Sequence, residues 1–250
     1  MPDEAGRPVA EESHSQGNRR RLIYPSAIGT MGTPAYHRRA DVLQQLDPDT
    51  VLMMGDNPAL ARMPERPTLL DFFRLRFHPR GVNHLLQSAS LALKAGLEEK
   101  LVLACLLHDV AVAALIGCDH GYWGEQLIAP YVAEEVSWAV RYHQPLRFFA
   151  DDSVGYPYPE AYLRYFGPDY VPPPYIQAAH REARAHRWYM SARLITLYDV
   201  YAFDPDAVVA LDDFTDIVGR HFKQPEEGLG FDGSPVAHMW RSIIWPNNFL

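Results

Sequence analysis

The sequence predicts an all-α domain, and three observations carry that expectation. Apolar residues recur at spacings of three and four over successive stretches from residue 69 to residue 222. Helix-stopping residues such as Gly96 and Pro130 fall between those stretches. No stretch alternates apolar and polar residues as a half-buried strand would.

Residues 1–20 are poor in apolar side chains and rich in Gly, Pro, Ser and Glu, the composition of a disordered leader, and Arg19-Arg20-Arg21 belongs to that solvated tail. Residues 21–250 are expected to form a single domain. From residue 23 to 67 turn signals dominate, at Gly29, Gly32-Thr33-Pro34, Asp47-Pro48 and Gly55-Asp56-Asn57-Pro58, with short helices expected at 40–46 and 58–63. The stretch 69–77 places Leu70, Phe73 and Phe77 on one helical face. The next, 82–95, does the same with Leu85, Ala89 and Ala92 and stops at Gly96. Residues 98–116 are apolar almost all round, as a central buried helix is. Helices over 119–128 and 133–147 follow, separated by Pro130, with a kink or terminus expected at Pro145.

The segment 156–174 interleaves prolines with five tyrosines and reads as an ordered loop, because exposing five tyrosines is costly. Residues 175–203 read as a long helix with an interruption near residues 186–189. One more helix over 214–222 and an aromatic tail with Trp240, Trp245 and Phe249 complete the chain.

Composition narrows the function. A net charge of −8 with no long basic block disfavours nucleic acid as a partner. The most apolar stretch, 101–117, is short for a membrane span and carries His108 and Asp109 in its middle. Cys105 and Cys118 make no disulfide framework, and no apolar signal segment opens the chain, so a cytoplasmic protein is expected.

Chemistry concentrates at His108-Asp109. Burying an ionised carboxylate costs several kcal/mol or more unless it is paired, and a cation shared with a neutral imidazole compensates both groups. A hydrogen-bonded Asp–His pair without metal is the plainer alternative. The pair has company, however. His84 lies one helix earlier, His120 just after, His143 on the next long helix and Asp199 on the last. Four His and two Asp on facing helices can hold two ions with Asp109 as the bridge, and mixed nitrogen and oxygen donors suit Fe, Mn, Co or Zn.

This order of ligands resembles the HD-domain superfamily, which contains metal-dependent phosphohydrolases and a branch of diiron oxygenases. Val82-Asn83-His84-Leu85-Leu86-Gln87-Ser88-Ala89 resembles the first-ligand helix of the organophosphonate-cleaving oxygenases, and Leu106-Leu107-His108-Asp109-Val110 is similar to their dyad. His120-Gly121-Tyr122-Trp123-Gly124 and Tyr142-His143-Gln144-Pro145-Leu146-Arg147 resemble their third and fourth motifs. Tyr198-Asp199-Val200-Tyr201, followed by Asp204-Pro205-Asp206, resembles the last-ligand segment of myo-inositol oxygenase. The likeness spans residues 75–205. Three departures are visible: Ala111 stands where those oxygenases have Gly, residues 74–81 offer His78 and arginines in place of a Tyr/Glu loop, and 156–174 has no Ser-rich phosphonate loop.

The resemblance implies an HD-type helical bundle around a dinuclear site, with Asp109 and His108 at the catalytic centre. It implies two iron ions, Fe(II)/Fe(III), that use O2 to oxidise and cleave a small polar, anionic substrate bearing a hydroxyl or amine. Arg147, one turn past His143, is the expected anion contact, with His78 a second substrate contact. The runner-up is a phosphohydrolase using Mn, Zn or Mg on a phosphoester, and the third reading is a binding protein without turnover. Arg193 is expected in a structural ion pair or solvated, and His180, His186, His221 and His238 outside the ligand series.

Overall fold

The first described helix, α1 (Leu69–Leu75), starts where Thr68 and Asp71 cap each other, Asp71 accepting the Thr68 N–H at 2.8 Å. It buries Leu69, Phe72 and Phe73. The computed structural model describes residues 59–246 and 248, within the unit Leu52–Leu250. The leader over 1–20 and the short helix expected at 40–46 lie outside the described residues. The described part of the 58–63 stretch is turn and coil, not helix. Pro64 disfavours the helical conformation at Met63, which sets this.

Helix α2 (Pro79–Lys94) begins three residues earlier than periodicity predicts, because Pro79 fits the first turn and His78 caps it. It ends where Gly96 takes a left-handed φ of 74°. Leu85, Ala89 and Ala92 are fully buried. The stretch 98–116 is not one helix. It divides into α3 (Glu99–Leu107) and α4 (Val110–Ala114), and the break falls on His108 and Asp109, with Asp109 at φ −110°, ψ 20°. In a continuous helix adjacent side chains diverge by roughly 100°. Turning both toward one point requires the break.

Helices α5 (His120–Ile128) and α6 (Glu134–Leu146) pack closely. A methyl at Gly121 would come within 2.6 Å of the Arg141 carbonyl, so only glycine permits that approach. Pro145 lies in the last turn of α6, where the helix ends. The Pro/Tyr segment contains a short helix, α7 (Glu160–Phe166), that buries no residue. The expected long C-terminal helix divides into α8 (Pro174–Ala185) and α9 (Tyr189–Val200), parted at residues 186–188. Then come α10 (Thr215–His221) and α11 (Ala237–Ile244), the latter within the expected aromatic tail.

Helix α3 is the hub, packed against α2, α6, α9 and α10, with Val102 to Leu107 wholly buried. Trp240 of α11 closes the far end, edge-on to Phe72 and donating its indole N–H to the Leu127 carbonyl. Among the described residues there is no strand, and Asp151 and Tyr156 form an isolated antiparallel bridge. The all-α expectation is met. No helix among them is long and apolar enough to cross a membrane.

Candidate metal centre

Six side chains from α2, the α3–α4 break, α5, α6 and α9 meet inside this bundle. His84 Nε2 lies 3.2 Å from Asp199 Oδ1 and 3.1 Å from His108 Nε2. His120 Nε2 lies 3.2 Å from Asp109 Oδ1 and 3.3 Å from His143 Nε2, and His143 Nε2 is 3.4 Å from the same oxygen. Asp109 stands between the two groups. Its Oδ1 faces His120 and His143, while its Oδ2 lies 3.8 Å from both His84 and His108. All six residues expected as ligands therefore converge.

The protonation pattern follows from the backbone. Each ring points Nδ1 at a carbonyl: His84 at Ala202 (3.0 Å), His108 at Cys105 (2.7 Å), His120 at Gly117 (3.2 Å) and His143 at Val140 (2.5 Å). A carbonyl only accepts, so each Nδ1 carries the proton and each neutral ring turns the Nε2 lone pair inward. The short Nε2···Nε2 approaches cannot then be hydrogen bonds. With all four rings neutral, lone pairs and carboxylate oxygens crowd together without protons between them. Consistent with this, Asp109 Oδ1 and Asp199 Oδ1 are buried and lack hydrogen-bond partners among the described residues.

Cations resolve the crowding. Donors about 2.0–2.2 Å from one ion lie roughly 2.8–3.6 Å from one another at octahedral or tetrahedral angles. The approaches of 3.1–3.4 Å fall in that window. The residues fit two ions, one among His84, His108 and Asp199, the other between His120 and His143, with an Asp109 oxygen toward each. Two His/Asp groups meet the geometry of a metal-holding cluster, His84–His108–Asp199 and His108–Asp109–His143.

Burial lowers the His108 imidazole, but Asp109 and Asp199 outweigh it and raise it, holding a proton that a bound ion would displace. Burial pushes the Asp109 carboxyl up, but the neighbouring imidazoles outweigh it and hold it well below the usual carboxylate range. Asp199 is likewise held ionised: the Arg147 guanidinium and the facing imidazoles outweigh its burial. Burial drives the His120 imidazole down to about 4, so it stays neutral. His143 is also lowered, chiefly by burial.

Arg147 enters the centre with its Nε 3.2 Å from Asp199 Oδ2 and its guanidinium over the Tyr162 ring. His78 is placed differently. It is exposed, and its Nδ1 accepts the Arg80 N–H as the cap of α2. Arg193 is fully buried, paired with Asp151 at 3.4 Å, and donates to the carbonyls of Leu146 and Phe149 at the end of α6. It is a structural ion pair, as expected, and not a solvated one. His180 stacks on Phe149, His186 on Trp138, and His221 meets Glu99.

Several contributors escape sequence reading. Phe203 stacks on the His84 ring at 4.4 Å, and Gln87 clamps the chain behind it through two 2.9 Å hydrogen bonds to Asp204. Gln87 stands three residues after His84 on the same helix face, the one signal that could have found it. Asp119, before His120, takes a left-handed φ of 47°, unique among described non-glycine residues. A cavity of about 290 Å³ opens beside His120 and Arg147, walled by Phe148, Tyr162, Tyr165, Phe166 and Tyr175.

Fold and site together define an all-helical protein built around a histidine–aspartate centre able to bind metal. Residues 78–170 match the family model of the HD domain, consistent with the HD-domain superfamily. Asp199 lies beyond the matched segment, yet α9 brings it against His84. No curated protein matches the sequence.

Proposed function

We propose that this chain is a diiron oxygenase that uses O2 to oxidise and cleave a small polar, anionic substrate. The observation that supports it is the position of Asp109, one oxygen turned to each pair of imidazoles, an arrangement suited to two ions rather than one. Four neutral imidazoles with two carboxylates suit iron better than magnesium or calcium. When bound, two iron ions in the Fe(II)/Fe(III) state would supply Lewis acidity and the electrons that reduce O2.

The chain's own residues do the rest. The backbone carbonyls fix every imidazole in one tautomer, keeping all four lone pairs on the centre. The enclosing helices exclude water from the His84–His108–Asp199 half, whose rings and carboxylate are nearly fully buried. Arg147, steadied by Asp199 and Tyr162, orients the anionic end of the substrate. His78 keeps its capping role.

The superfamily also contains phosphohydrolases. Among the described residues Arg147 is the only Lys or Arg lining the cavity, and the Asp119 carboxylate lines it too. A phosphomonoester dianion is matched less well by such a wall than a monoanion is. Metal analysis, EPR after partial reduction and an oxygen electrode separate the two. Iron with a mixed-valent signal and substrate-dependent O2 uptake is expected. Zn, Mn or Mg without that signal, together with hydrolysis of a generic phosphoester, would overturn the proposal.

A further inference from the structure

We infer, taking the centre proposed above as the reacting group, that the substrate is a small aryl- or alkyl-substituted carboxylate: one carboxylate on Arg147 and an apolar body against Phe148, Tyr162 and Phe166. The cavity touches the metal-ligating cluster at His120 and at Arg147, so whatever enters meets the His120–His143 half first. Apart from these and Gln144, its wall is mostly aromatic. Phe148 lies 5.5 Å from Tyr162 and 6.1 Å from Phe166, and Tyr162 and Phe166 meet edge to face at 5.7 Å. These rings pack on one another into a single aromatic wall of the cavity of about 290 Å³.

Charge sets the other end. The guanidinium of Arg147 has Asp199 on its Nε side and the Tyr162 face against it, so its single charge is already shared with one carboxylate. Across the rim, Asp119 reaches Tyr175, its Oδ1 accepting the hydroxyl at 3.4 Å. A second negative charge on the ligand would meet that carboxylate. A monoanion fits; a phosphate or phosphonate dianion does not.

The apolar wall is unusually open. Phe166 is 45% and Tyr175 58% exposed, although burying such rings is favourable. Helix α7, which carries Tyr162 and Phe166, buries no residue of its own and is held by these ring contacts, so a ligand body that fills the cavity gives it the packing it lacks.

Titration calorimetry on the full-length, metal-loaded protein tests this with four probes: 3-phenyllactate, lactate, 2-phenylethanol and phenyl phosphate. The expected order has 3-phenyllactate tightest, by about tenfold or more over lactate, which lacks the body, and over 2-phenylethanol, which lacks the anion. F166A should weaken 3-phenyllactate several-fold and leave lactate unchanged. R147Q should bring 3-phenyllactate to the level of 2-phenylethanol, with R147K, which keeps the Asp199 pair, recovering part of the loss. Equal binding of lactate and 3-phenyllactate, a preference for phenyl phosphate, or no binding of any probe overturns the inference. Because turnover is not read, zinc in place of iron would sink the oxygenase reading while leaving these ratios to stand or fall alone.

Discussion

Arg193 and Asp151 form a pair behind the centre, and cutting it gives the most quantitative test of the architecture. Arg193 is wholly buried and Asp151 nearly so, their closest atoms 3.4 Å apart. Removing one partner of such a pair costs about 3–5 kcal/mol, because a charge is left without compensation. Both residues have secondary partners. Arg193 keeps the carbonyls of Leu146 and Phe149 at 3.0 Å, and Asp151 keeps the Ser153 N–H and hydroxyl and the Tyr189 hydroxyl. The low end, about 3 kcal/mol, is therefore expected for either R193M or D151N. The double variant strands no charge, so its loss should fall short of the sum by about 1–3 kcal/mol. Urea unfolding followed by circular dichroism reads all four proteins. Additivity within about 0.5 kcal/mol would refute the pairing. The consequence reaches the site, since Arg193 ties down the end of α6 and packs against Tyr156, whose hydroxyl donates to the Arg147 carbonyl.

Further outcomes follow from the same geometry. The Asp151 carboxyl is pushed up by burial but held below its ordinary value by Ser153, Tyr189 and Arg193. A depressed carboxyl contributes stability above its unfolded pKa of about 4 and loses it as pH falls through the folded value. Denaturation midpoints between pH 7 and 3 should thus fall more steeply for the parent than for D151N. G121A puts a methyl 2.6 Å from the Arg141 carbonyl and should cost about 1–3 kcal/mol, with the metal at His120–His143 lost before the helical signal in a chelator titration. H120A should lose one metal equivalent per chain by elemental analysis with its circular dichroism retained; unchanged metal content would reject His120 as a ligand.

Much of the centre was legible because polar side chains stand out in apolar runs. His84, His108, Asp109, His120, His143 and Asp199 each sit on or beside a helix that the periodicity predicts, and each arrives at the cluster. The break at His108-Asp109 was not legible. Apart from His108 and Asp109 themselves the run from Val102 to Ile116 is apolar, with no Gly or Pro to stop a helix, and only the need to aim two adjacent side chains at one point interrupts it. That need arises from partners far away in sequence. Helix α11 was hidden for a different reason. Met239, Trp240, Ile243 and Ile244 do lie on one face, but the run is short and flanked by Pro235 and Pro246, so it reads as a tail. Likewise the prolines around α7 conceal a single helical stretch from 160 to 166. The roles of Phe203, Gln87 and Asp119 depend on tertiary contacts and leave little local signature.

The central claim is that Asp109 stands between two metal ions. Anomalous diffraction from crystals of the metal-loaded protein tests it most directly. Two peaks roughly 3.5–4 Å apart are expected, one beside His84, His108 and Asp199 and one beside His120 and His143, with the Asp109 carboxylate between them. A single peak, or none near His120 and His143, would contradict it.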